Sequence, residues 1–210
     1  MDSTSPRFRR PAPLFNSVAE AIPGEPDPAS STDLAHDSAQ ALLDGVYRTA
    51  DPEVVDRVVG LVAQEGLGDL AALWSASPAT TLPGALWRLY VLHTWVQRNG
   101  DDVVCRYRSG SRTVPGLRYL SGIAEPPDVE QVRRTMDDIL RGAFTGDLAL
   151  ALNRAGAVAT VAAHGTAHLA DREDVDEAEQ ERLMVQAERL LSTGEALVAA
   201  GHQAEAGTLE

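Results

Sequence analysis

Residues 81–100 read TLPGALWRLYVLHTWVQRNG and form the most apolar long segment of the chain, with two of its three tryptophans. Thr81 is a suitable helix cap, Pro83 suits a first helical turn, and the closing Asn-Gly pair is a good helix end. On a helical wheel the apolar side chains cover nearly the whole circumference and leave a narrow polar arc. A helix of this kind is normally buried in a core. We therefore expect a buried central helix over about 81–99.

Helical patterns flank this segment on both sides. Apolar residues spaced three and four apart, with capping residues before them, predict helices over about 31–48, 51–66, 67–75, 101–110, 128–142, 147–169 and 171–200. Residues 109–127 contain three glycines and three prolines, which predicts a long loop. The last two helices should pack antiparallel because only a two- or three-residue turn separates them. The sequence thus predicts an all-α multi-helix bundle with a C-terminal antiparallel hairpin over about 147–200.

The first thirty residues differ in composition from the rest of the chain. They hold six of the twelve prolines and lack an apolar stripe of useful length. We interpret residues 1–30 as a disordered or loosely docked tail. The remainder has the size and apolar content of one domain, so we expect a single helical domain over 31–205.

Charge and cysteine content exclude several classes of function. The formal net charge is −13, every cationic side chain apart from histidine is an arginine, and the acidic surface makes nucleic acid an unfavourable partner. Because the chain contains no lysine, a lysine Schiff base and a Walker-type lysine are both excluded. Cys105 is the only cysteine, which excludes an intramolecular disulfide and suits a cytoplasmic location. We expect this thiol to be buried. No run of 18 uncharged apolar residues is present, so no membrane partner is expected.

Two histidines, His164 and His168, are four residues apart on a predicted helix, which places both rings on one face. His93 on the central helix could supply a third nitrogen. This set of residues resembles the metal triad of the DinB-like four-helix bundles, which include mycothiol-dependent enzymes. The resemblance implies a divalent metal such as zinc or nickel and a metal-dependent enzyme. The alternative is that no cofactor binds and that His93 is a core histidine bonded to a carbonyl or to Tyr90.

The most basic stretch outside the first residues of the chain is 106–119, with four arginines and no acid. Arginine forks beside tyrosines and glycines can hold an anion or a nucleotide. Arg106, Arg108, Arg112 and Arg118 are therefore candidate anion-binding residues. The other interpretation is that these arginines pair with the carboxylates of this acidic chain.

Residues 171–181, DREDVDEAEQE, hold seven acids and one arginine. They suit a solvated helix start, where the helix dipole favours acids, or a patch that a basic partner recognises. No dinucleotide-binding, P-loop or hydrolase motif is present. We therefore expect a non-catalytic protein-interaction module that binds another protein, with a homodimer through the hairpin as the alternative. The sequence does not decide whether the chain is an enzyme.

Overall fold

The computed structural model describes residues 28–49, 53 and 68–210. This part of the chain folds into eight helices and contains no strand, which confirms the all-α prediction. The helices are α1 Pro28–Thr49, α2 Gly68–Ser75, α3 Leu82–Arg98, α4 Gly100–Gly110, α5 Pro115–Ser121, α6 Val129–Phe144, α7 Leu148–Ala170 and α8 Glu177–Glu205. The helix predicted over 51–66 and most of the tail predicted over 1–30 lie outside the described residues, apart from Glu53 and the first residues of α1.

The central helix α3 begins and ends where its capping residues predict. Thr81 Oγ1 accepts a hydrogen bond from Gly84 N at 3.3 Å, and Asn99 occupies the C-cap. Among the described helices, α3 contacts every other one except α5. Its buried residues are Leu82, Pro83, Gly84, Ala85, Leu86, Leu89, Leu92, His93 and Val96. Six of these residues, Leu82, Ala85, Leu86, Leu89, Leu92 and Val96, belong to the principal hydrophobic core, so the prediction of a buried central helix is confirmed.

Helices α7 and α8 form the predicted antiparallel hairpin. Asn153 lies beside Gly201 and Thr160 beside Gly194, so residues of rising number in α7 meet residues of falling number in α8. The connection is longer than predicted and covers residues 171–176. Asp176 caps α8 by accepting a hydrogen bond from Glu179 N at 2.8 Å.

The predicted long loop 109–127 contains helix α5, so that part of the prediction is wrong. Pro115 occupies the first turn of α5, and Gly122 ends the helix in the left-handed region at φ 77°. Both signals are present in the sequence, but a helix of two turns leaves too little periodicity to detect. The helix contacts α7 and holds the chain against the bundle.

Helices α4 and α7 cross at a pair of glycines. A Cβ atom on Gly165 would overlap the carbonyl oxygen of Arg106 and lie 2.8 Å from Gly110 N. A Cβ atom on Gly110 would likewise overlap the carbonyl oxygen of Val161. The two backbones therefore touch directly.

None of the described helices is both long enough and apolar enough to cross a membrane.

Candidate functional site

His93 is fully buried where α3 packs on α6. Its Nε2 lies 2.7 Å from Asp137 Oδ1, which also accepts a hydrogen bond from Gln97 Nε2 at 2.8 Å. Because a carboxylate only accepts, Nε2 carries the proton. The other ring nitrogen, Nδ1, is buried and has no hydrogen-bond partner within the described part of the chain. His93 therefore joins two helices, and its bonding partner is Asp137 rather than Tyr90 or a carbonyl.

The other two candidate metal ligands lie elsewhere. His164 is half-buried on the face of α7 that meets α8, and His168 is exposed near the end of α7. No three His, Cys, Asp or Glu side chains within residues 28–49, 53 and 68–210 are positioned to share a metal ion. The structure therefore does not bring His93, His164 and His168 together as the DinB-like triad requires. The four-residue spacing places His164 and His168 on one face of α7, but it does not indicate which helix that face meets.

The candidate anion-binding arginines are mostly paired within the protein. Arg106 donates from Nε to Asp102 at 2.7 Å, and Arg108 donates to the carbonyl of Pro127 at 2.7 Å. Arg118 donates to Glu125 Oε2 at 2.9 Å. It also donates a hydrogen bond to the hydroxyl of Tyr119, and its guanidinium lies over the ring of that residue. Arg112 is exposed. Three of these side chains use protein oxygens as acceptors, and Arg106 and Arg108 line separate clefts.

Cys105 is exposed, so the expectation of a buried thiol is wrong. The reason is its position on α4. Val103, Tyr107 and Gly110 follow helical spacing on the buried face, whereas Cys105 lies with Asp101 on the outer face. Its apolar neighbours in the sequence do not share its side of the helix.

An apolar groove of about 480 Å³ runs along the outer side of the hairpin. We call it the hairpin groove. Its lining residues are Ala163, His164 and Ala167 of α7 and Glu181, Met184, Val185, Ala187, Glu188 and Leu191 of α8. Met184 is 46% exposed and Val185 is 40% exposed, which is high for large apolar side chains. Their exposure leaves a hydrophobic strip on the surface of α8 that no described helix covers.

The turn of the hairpin gives one end of this groove a strong negative charge. Six of the seven acids in residues 171–181 are exposed. Two arginines offset part of the charge: Arg172 pairs with Asp174, and Arg182 pairs with Glu179. The hydrogen bonds from Arg172 lower the pKa of Asp174, so this carboxyl stays ionised in mildly acidic solution. The end of the hairpin groove is therefore acidic at neutral pH.

The residues of the hairpin groove had only a partial signal in the sequence. The acidic run 171–181 is visible in the sequence, but no sequence motif singles out Met184 and Val185. Only the position of α7 shows which apolar residues of α8 stay outside the core. Compared with protein-family models, curated proteins and solved structures, the chain matches none.

Proposed function

We propose that this protein is an interaction module whose hairpin groove binds a basic amphipathic helix of another protein. The observation that carries the proposal is the apolar strip at Met184 and Val185 beside an acidic helix turn. Grooves between two helices commonly accept the apolar face of a third helix. Exposed apolar area of this kind marks interaction surfaces when a polar rim surrounds it.

The charge around the groove selects the type of partner. Glu181 and Glu188 line the groove itself, and the exposed acids of residues 171–176 continue from its end. A second copy of this chain would bring the same acids to the contact and would be repelled. A helix with arginine or lysine beside its apolar stripe would complement both the strip and the rim. The expected partner is therefore a different, basic helix, and a homodimer is the competing outcome.

The proposal can be tested with a synthetic peptide. The probe is a labelled amphipathic helix of about five turns (~18 residues), with leucine on one face and arginine on the other. A matched peptide carries glutamate in place of arginine, and a scrambled peptide keeps the composition without the apolar face. Fluorescence anisotropy at low and high salt measures binding. We expect the arginine peptide to bind, the two control peptides to bind more weakly, and salt to weaken the arginine peptide.

Variants then locate the binding surface. Met184→Glu places a charge in the apolar strip and removes a contact that stabilises the complex by about 1.5–3 kcal/mol, so binding should weaken at least about tenfold. Ser192→Glu adds the same charge at an exposed position of α8 outside the groove and should leave affinity nearly unchanged. Equal binding of the arginine and glutamate peptides, or equal effects of the two variants, would refute the proposal. Self-association that Met184→Glu abolishes would instead identify the homodimer.

A further inference from the structure

A second cleft, of about 530 Å³, lies on the other side of α8, where this helix meets α3 and the start of α4. We call it the arginine cleft. Its lining residues are Val91, Leu92, Trp95, Asn99, Asp102, Arg106, Gln186, Arg189, Leu190 and Thr193. Its volume is within the range of about 300–1,000 Å³ that small-molecule sites occupy. Val91, Leu92 and Trp95 make the α3 wall apolar, and apart from Leu190 the rest of the lining is polar or charged.

Arg106 is built into this cleft as a fixed cation. The residue is only 8% exposed, and two of its three guanidinium nitrogens have protein acceptors. Nε donates to Asp102 at 2.7 Å, and Nη1 donates to Thr166 Oγ1 at 2.9 Å. Thr166 in turn donates to the carbonyl of Ala162 at 2.8 Å, which holds its hydroxyl in place. These bonds fix the plane of the guanidinium before any ligand arrives.

The third nitrogen of Arg106, Nη2, has no acceptor among the described residues. Nη2 is not sealed inside the described core, so it keeps access to solvent. Because Arg106 lines the arginine cleft, Nη2 is a free donor at a preorganised cation. Charged donors of this kind form short, strong hydrogen bonds to carboxylates and phosphates.

The remaining lining residues define the ligand further. Arg189 brings a second positive charge from α8, and Asp102 offsets one, so the lining carries one net positive charge. This balance suits a monoanion better than a dianion such as a phosphate monoester. Trp95 and Leu190 supply apolar surface beside the charged groups. We infer that the arginine cleft binds a small organic acid, with its carboxylate at Arg106 and Arg189 and its apolar body against Trp95.

Isothermal titration calorimetry with naphthalene-2-carboxylate tests this inference. The matched ligand naphthalene-2-methanol keeps the ring and loses the charge, and acetate keeps the charge and loses the ring. We expect saturable one-to-one binding for the carboxylate and markedly weaker binding for both controls. Comparable binding of the alcohol, or no saturable binding of the carboxylate, would overturn the inference.

Two charge-matched variants on α8 locate the site. Arg189→Gln removes a cleft cation and should weaken the carboxylate about tenfold, the size of one charge-assisted hydrogen bond. Arg182→Gln removes a cation of the same helix that does not line the cleft and should leave affinity within about twofold. Both side chains are exposed, so both variants should fold, which circular dichroism checks. Equal effects of the two variants would place binding outside the cleft. Met184→Glu should not change carboxylate binding, so this site and the hairpin groove can fail independently.

Discussion

Replacing Gly165 with alanine should destabilise the protein, although alanine is normally the better helix former. The new Cβ would overlap the carbonyl oxygen of Arg106 and lie 2.6 Å from its carbonyl carbon. Carbon atoms prefer separations of about 3.5–4.0 Å, so α4 has to move about 1 Å away from α7. These neighbours are backbone atoms and cannot turn aside as a side chain could. Overpacking of this kind destabilises a protein by up to about 3 kcal/mol, whereas the higher helix propensity of alanine stabilises it by about 1 kcal/mol. The expected net loss is about 2 kcal/mol.

Gly142→Ala is the matched control for this experiment. Gly142 also lies inside a helix, but a Cβ there would meet only Ala151 Cβ, at 3.9 Å, which is an ordinary contact. This variant should gain about 0.5–1 kcal/mol. Urea unfolding followed by far-ultraviolet circular dichroism measures both values. Gly165→Ala should therefore be less stable than the parent and Gly142→Ala more stable, with a difference of about 3 kcal/mol between the two variants. Equal stabilities would show that α4 and α7 are not in backbone contact, and the described crossing would be incorrect.

Two further predictions concern buried polar side chains and use the same unfolding assay. Tyr107→Phe removes a 2.5 Å hydrogen bond to Ser121 and should cost about 1 kcal/mol at neutral pH. Burial raises the pKa of Tyr107, so its contribution to stability is complete below the usual tyrosine pKa of 10.0 and is lost as the pH rises above that value. Tyr107→Phe should therefore make the loss of stability above pH 10.0 less steep, and an unchanged dependence of stability on pH would contradict the assignment. His93→Ala should cost about 3 kcal/mol through its cavity and the lost bond to Asp137. The exposed control His202→Ala should stay within about 0.5 kcal/mol, and similar losses for both would show that His93 is not packed between helices.

The sequence predicted those features that depend on one helix and its immediate neighbours. Thr81 and Asp128 cap α3 and α6 as their residue types indicate, because a cap acts through backbone groups two or three residues away. The antiparallel hairpin followed from a short connection between two long helices. The turn itself was predicted too short because Asp171 and Asp176 are both acceptable caps, and only the structure shows that Asp176 is used.

The candidate sites were less predictable because they depend on contacts between distant segments. Asp137 is 44 residues from His93, and nothing in the spacing identifies it as a partner. Cys105 was expected in the core because free cysteines are usually buried, but its position on the helix, set by residues three and four away, places it on the outer face. Arg106 and Arg189 line one cleft from two helices, so no local motif contains both. His93, His164 and His168 match the DinB-like triad in residue type, but the described structure places His93 between α3 and α6 and His164 on the face of α7 that meets α8.

The distribution of charge explains how an acidic chain can present two chemically different surfaces. Helix α8 contributes Met184, Glu188 and Leu191 to the hairpin groove, and Arg189 with Leu190 to the arginine cleft. Adjacent residues of one helix lie about 100° apart, so neighbours in sequence can face separate grooves. On the groove side the exposed acids outnumber the two arginines that pair with them, which favours a cationic partner. On the cleft side Asp102 is already engaged by Arg106, so one positive charge remains for an anion. The chain is strongly acidic overall, so this local positive charge depends on Arg106 being held in place. A shift of α4 against α7 would break the hydrogen bond from Arg106 to Thr166 and would remove the positive charge from the cleft. The glycine crossing that sets that contact is therefore the structural condition for the cleft, and Gly165→Ala should weaken carboxylate binding as well as stability.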